Sequence, residues 1–284
     1  SYSCFRYSII RHNWRGMTSL LIGCGNLGKI ILEGFSKNKK KILVLEKNIN
    51  VCKDIKKKFS DVECFSDPNK VNWIKVNYIM ICVKPNDSKK VISEIKNYCN
   101  KKHVIISFIA GLEIKTISKW IVYKNSILRI MPNIFISSNN SLTAVYGKNL
   151  NTNIKNKIVR DFSEFGDIIW MKKEEKIDFF TAMFGGGPAY LFYILNCFNK
   201  IIKKNGFTER QSLSAIKLLL KGVLENINKE NFRFSDLIQK VASKGGTTEE
   251  GLKVLSKRNK LFMLFEKAIL SAENKSKRIS KTLK

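Results

Sequence analysis

The stretch "TSLLIGCGNLGKIILEGFSKN", Thr18 to Asn38, followed at once by "KILVLE", Lys41 to Glu46, constrains the fold more than any other part of the chain. A short run that is apolar throughout, a glycine turn, a helical pattern and a second apolar run spell one β-α-β unit. The same alternation continues with a helix "NVCKDIKKKF", a weak strand near "VECF", a helix around Lys70 to Lys75 and the strand "YIMICVK". Next come the helix "SKKVISEIKNYC", the strand "HVIISFIA", the helix "EIKTISKWI" and the strands "SILRIMP" and "SLTAVYG". Strands without a polar face need cover on both sides, so the pattern predicts an α/β domain built on a parallel sheet. After about Gly166 the apolar spacing becomes helical through Glu174–Asn205, Glu209–Asn228, Phe234–Ala242 and Thr248–Lys275, which predicts an all-helical second domain. The expected division is 1–16 as an N-terminal extension of uncertain status, 17–166 as the sheet domain and 167–284 as the helical domain.

Charge is the one unusual feature of the composition, at a formal +29. A nucleic-acid partner would want those charges clustered and interleaved with aromatic residues. Here the lysines are spread along the whole chain beside Asn and Ile, so the excess reads as a solvated surface, and neither nucleic acid nor membrane is an expected partner. No apolar run approaches the ~20 residues of a membrane span. Seven scattered cysteines with no CxxC pair fit reduced thiols in a cytoplasmic protein, with no zinc site and no disulfide framework. Only His12 and His103 are present, which leaves little for histidine-based catalysis. The first sixteen residues carry arginines and no acid, as a transit peptide does, although an upstream extension explains them equally well.

Chemistry concentrates in the turns. "GCGNLG" (Gly23, Cys24, Gly25, Asn26, Leu27, Gly28) is a GxGxxG directly after a strand and at a helix start, where glycines let a pyrophosphate approach and the helix N-terminus favours its charge. At the end of the second strand Glu46 suits a ribose 2′-hydroxyl, and the adjacent Lys47 suits a 2′-phosphate; with Asn48 they leave the choice of NADH or NADPH open. "CVKP", with Val83, Lys84 and Pro85, "IAG", with Ala110 and Gly111, and "RIMPN" end later strands on the same sheet edge. "FGGGPAY" places three glycines and Pro188 before a strongly apolar helix. "VASKGGTTEEGL", Val241 to Leu252, opens another helix with paired glycines and threonines, a fit for a small anion.

"GCGNLG", "VKP", "SFIAG", "MPN", "GGGPAY" and above all "SKGGTTEEGL", in this order, resemble the pyrroline-5-carboxylate reductase family from about Met17 to Ser280. The resemblance implies a Rossmann domain followed by a helical dimerisation domain, a homo-oligomer, and NADPH- or NADH-dependent reduction of 1-pyrroline-5-carboxylate to L-proline. It implies that Ser243 and the amides of Gly246, Thr247 and Thr248 hold the substrate carboxylate, with the Thr248 hydroxyl at the ring nitrogen as the catalytic group. It places Asn69 near the adenosine ribose and Ala110 and Gly111 against the nicotinamide. The chain departs from the family pattern at Ile134, Phe135, Phe184, Gly186 and Lys244. A non-catalytic paralogue that keeps dinucleotide binding is the alternative, and the retained Ser243, Gly245, Gly246 and Thr248 argue against it.

Overall fold

The computed structural model describes residues 17–148 and 150–283; the N-terminal stretch 1–16 lies outside the described residues. Eight strands form one sheet: β1 (Ser19–Ile22), β2 (Ile42–Leu45), β3 (Glu63–Phe65), β4 (Tyr78–Ile81), β5 (Val104–Ser107), β6 (Ser126–Met131), β7 (Ser141–Gly147) and β8 (Gly166–Trp170). Their order is β3-β2-β1-β4-β5-β6-β7-β8, and every neighbouring pair is parallel except β6 with β7. The first six strands have the order of a dinucleotide-binding sheet. The β6–β7 connection is too short for a crossover, so β7 must return antiparallel, with Leu128 opposite Gly147.

The helices around the sheet are α1 (Asn26–Lys37), α2 (Ile49–Lys58), α3 (Ser88–Ile95), α4 (Ile114–Trp120), α5 (Thr152–Phe162) and α6 (Lys176–Phe180). Successive strand residues point to opposite faces, which is why the strands carry no polar position. Leu21, Val44 and Met80 pack with Ile31, Leu32 and Phe35 of α1, whereas Leu20, Ile79 and Ile105 pack with Ile92, Ile95 and Ile117 on the other side. Each such side chain taken out of water contributes about 1.5–3 kcal/mol. In register, Ile22 lies level with Leu45 on one side and Ile81 on the other, so the loops leaving β1, β2 and β4 start at one edge.

The chain divides into two compact units, one running to Gly186 and resuming at Ala272, the other Gly187–Ser271. The sequence boundary at 166/167 is therefore corrected twice. Gly166–Trp170 is β8, brought parallel to β7 by α5, and its partly buried residues gave no apolar run to read. The last helix also ends in the first unit, where the Ser276 hydroxyl donates to Asp178 at 2.7 Å and the Ser280 hydroxyl to Glu113 at 2.5 Å. The expected helix at Lys70–Lys75 is two single 3₁₀ turns, Pro68–Lys70 and Trp73–Lys75, because Val71, Trp73 and Val76 must all face inward. The expectation of seven reduced thiols also fails. Cys52 on α2 and Cys64 on β3 form a disulfide with Cα atoms 5.6 Å apart, their side chains meeting inside the core.

The second unit holds α7 (Gly187–Lys204), α8 (Glu209–Ile227), α9 (Phe234–Val241), α10 (Thr247–Ser256) and the first half of α11 (Lys260–Thr282). A capping box between Thr208 and Gln211 starts α8, and the Ser212 hydroxyl donates to Asn199 to tie α8 to α7. Many of its large apolar side chains lie exposed in the single chain, among them Leu191, Tyr193, Leu219 and Phe262. Among the described residues no helix is long and apolar enough to cross a membrane.

Candidate functional site

The glycine turn after β1 divides its labour. Gly23 has φ +87°, and a Cβ there would lie 2.5 Å from Val83 Cγ1 and 2.8 Å from the Cys82 carbonyl oxygen, so Gly23 lets the ends of β1 and β4 close together. A Cβ on Gly28 would stand 2.4 Å from the Gly23 carbonyl oxygen, which makes Gly28 the glycine that seats α1 against the turn. Gly25 is different: it is exposed, its φ of −70° suits any residue, and a Cβ there would meet no heavy atom within 4 Å. Packing explains two of the glycines and not the third. Gly25 is also the cap of α1 and offers no side chain to the helix's first amides, so these amides suit a pyrophosphate. Asn26 is exposed beside it, and Leu27 packs on the core. Burial, then the charge of Glu46, pushes the Cys24 thiol up to about 11, and burial pushes Cys82 up to about 12. Both stay protonated and neither is a nucleophile.

Glu46 follows β2. Its carboxylate accepts the Cys24 amide at 2.8 Å and the Asn48 amide at 2.9 Å, joining the glycine turn to the next loop. Asn48 in turn caps α2, accepting from the amides of Asn50 and Val51, and Lys47 is exposed between the two. Asn69 is exposed but fixed: it donates to Asp67 at 3.0 Å and accepts from the Tyr98 hydroxyl at 2.6 Å. Tyr98 stacks on Trp73, whose buried ring anchors this corner; the sequence reading passed over both because neither lies in a glycine motif. After β4, Val83 lies against Gly23, Lys84 is exposed, and Pro85 begins a 3₁₀ turn that leads the chain off the sheet edge.

After β5, Ala110 is partly exposed and Gly111 is buried with φ +74°. A Cβ on Gly111 would lie 2.6 Å from the Ser276 carbonyl oxygen, so the returning end of α11 presses on the turn. Beneath this turn the buried Arg129 guanidinium reaches Glu174 at 3.2 Å and Asp178 at 3.6 Å, and Glu174 also accepts the Ile114 amide. This network ties β6 to α4 and α6. The departures from the family pattern are accommodated locally. Asn133 accepts the Phe135 amide and caps the turn Ile134–Ser138, Phe184 packs on Phe180, and the Gly186 amide donates to the Thr181 carbonyl oxygen.

The second unit contains the glycine-threonine stretch. Gly245 takes φ +75°, and its amide donates to the Glu249 side chain at 2.7 Å, so Glu249 closes the loop from inside α10. The Gly246 amide, expected to receive a carboxylate, donates instead to the Ser243 carbonyl oxygen at 3.0 Å, because it completes the turn into the helix. Ser243, Lys244, Thr247 and Thr248 are exposed at the helix N-terminus. A Cβ on Gly246 would stand 2.7 Å from the Ser243 hydroxyl and 3.1 Å from its carbonyl oxygen, so a side chain there would displace the Ser243 hydroxyl.

A sheet in Rossmann order with a glycine turn between β1 and α1, followed by a helical unit, is the build of a nicotinamide-dependent oxidoreductase. Known proteins agree. Residues 174–279 match the family model for pyrroline-5-carboxylate reductase dimerisation, and residues 20–111 match that for NADP oxidoreductase, coenzyme F420-dependent. The pyrroline-5-carboxylate reductase of Staphylococcus haemolyticus is 28% identical over 271 residues, 93% of this chain and 98% of its own. The structure of that enzyme from Coxiella burnetii superposes with a TM-score of 0.79 at 28% identity, over 94% of this chain and 99% of its own. The Plasmodium falciparum pyrroline carboxylate reductase, solved with NADP bound, has a TM-score of 0.84 at 24% identity, over 94% of this chain and all of its own. The chain is thus similar to pyrroline-5-carboxylate reductases along nearly its whole length, and its C-terminal part matches their dimerisation model.

Proposed function

We propose that this chain reduces the C=N bond of 1-pyrroline-5-carboxylate to give L-proline, with NADPH or NADH as reductant. The observation that carries the reading is likeness along the whole chain, with both the dinucleotide turn and the glycine-threonine helix start in place. The bound reduced nicotinamide supplies the hydride; the protein supplies binding and alignment. The α1 amides around Gly25 hold the pyrophosphate, Glu46 and Asn69 face the adenosine ribose, and the turn Ala110–Gly111 forms a flat wall for the nicotinamide.

In the second unit, the Thr247 and Thr248 amides and the Ser243 hydroxyl take the substrate carboxylate at the positive end of α10. Gly246 contributes by lacking a side chain. The Thr248 hydroxyl orients the ring nitrogen. A protonated imine is already electrophilic, so alignment is the main requirement and no histidine is needed. The exposed apolar faces of α7, α8 and α11 support a homodimer or higher oligomer.

The test is steady-state kinetics with 1-pyrroline-5-carboxylate and each of NADPH and NADH. Saturable, substrate-dependent oxidation of either one supports the reading. A folded protein that binds dinucleotide yet shows none is the non-catalytic paralogue instead.

A further inference from the structure

Both oxygens of Glu46 are held by backbone. Oε2 accepts the Cys24 amide at 2.8 Å from within the glycine turn, and Oε1 accepts the Asn48 amide at 2.9 Å from the following loop. The Glu46 amide itself donates to the Phe65 carbonyl oxygen of β3, so the residue is pinned at three points. A carboxylate has about four acceptor positions, so two amides leave room for ribose hydroxyls. Turning away from a 2′-phosphate would break both bonds and leave the part-buried Cys24 amide without its acceptor.

The neighbouring groups offer that phosphate little. The Asn48 side-chain oxygen caps α2 and leaves only a neutral amide N–H to offer, and Asn69 is committed to Asp67 and Tyr98. Lys47 is exposed on a flexible stem, and its attraction is weakened by solvent and salt. A pinned, partly buried negative charge therefore outweighs a mobile, solvated positive one.

We infer that Glu46 is the specificity-determining residue at the ribose and that this chain takes NADH in preference to NADPH. This rests only on the dinucleotide-binding part of the proposed function. The test is therefore binding rather than turnover: fluorescence titration of NADH and NADPH into the wild-type protein, Glu46→Ser and Glu46→Gln. The wild type should bind NADH at least about tenfold more tightly than NADPH at low salt. Glu46→Ser should narrow or reverse that ratio. Glu46→Gln keeps the side chain's length while removing its charge, should also narrow the ratio, and serves if Glu46→Ser misfolds. Equal or tighter wild-type binding of NADPH overturns the inference, as does a ratio unmoved in folded Glu46 variants. Failure to bind either dinucleotide overturns it together with the cofactor assignment. Preferential NADH binding without imine reduction leaves it standing and removes only the proposed reaction.

Discussion

The three glycines of "GCGNLG" should respond differently to substitution, and the structure sets the size of each response. In Gly25→Val the new side chain enters open space at a φ of −70°, so the fold loses only the difference between cap residues, about 1 kcal/mol at most. The same side chain stands over the first amides of α1. Losing two charge-assisted bonds to a pyrophosphate, each about 1.5 kcal/mol or more, weakens dinucleotide binding at least about a hundredfold. Gly28→Val places Cβ 2.4 Å from a backbone oxygen that cannot yield without moving the turn, so it should cost stability by about 1–3 kcal/mol or more. Gly23→Ala adds the strain of φ +87°, about 1–2 kcal/mol, to contact with the Cys82 carbonyl oxygen. Thermal melts paired with fluorescence titration of NADH separate the cases. Gly25→Val should melt near the wild type and fail to bind, and Gly23→Ala and Gly28→Val should melt early. A folded Gly25→Val that binds NADH within about threefold of the wild type would refute the assignment of Gly25 to a ligand.

Further outcomes follow from other sites. Thr248→Val should lower kcat/KM by about ten- to a hundredfold with cofactor affinity nearly unchanged, measured by steady-state kinetics; normal kinetics with a lowered Tm would make Thr248 only a helix starter. His103 is buried, its Nε2–H donating to the Trp73 carbonyl oxygen at 3.0 Å while Nδ1 accepts the Asn100 amide at 3.1 Å, and burial lowers its pKa. The unfolded chain then takes up this proton first, so stability falls as pH drops below the ordinary value of 6.5, and His103→Gln should flatten that part of a denaturation profile taken against pH. Reducing Cys52–Cys64, which are 12 residues apart, should cost about 3 kcal/mol by loop closure, seen as a lower Tm in reductant and absent in Cys52→Ser.

Most of the sheet domain was legible because its strands are buried on both faces. Leu20 and Leu21 serve opposite cores, so both must be apolar, and the run is readable without knowing its neighbours. β8 was not legible, since Gly166–Trp170 is only partly covered and its side chains show no continuous apolar run. The return of α11 depends on Ser276, Ser280 and the close approach at Gly111, contacts between residues far apart in sequence that leave no local pattern. The same is true of Cys52 with Cys64, which meet only because α2 and β3 pack side by side. At the site, "GCGNLG" announced itself through spacing. That Gly25 alone is free of packing, and that Glu46 is gripped by Cys24 and Asn48, required coordinates. The glycine-threonine stretch was located correctly as a helix start, but the diversion of the Gly246 amide to Ser243 is a detail of turn geometry that residue types do not encode.

The central claim is hydride transfer from a nicotinamide to an imine carbon, and isotope transfer observes that event itself. NADH, and separately NADPH, carrying deuterium at the transferable C4 position would be incubated with the protein and 1-pyrroline-5-carboxylate, and the product examined by mass spectrometry. The account predicts L-proline carrying one deuterium on the former imine carbon, formed mole for mole with oxidised dinucleotide. Consumption of dinucleotide without labelled proline, or no consumption by folded protein that binds it, would contradict the account.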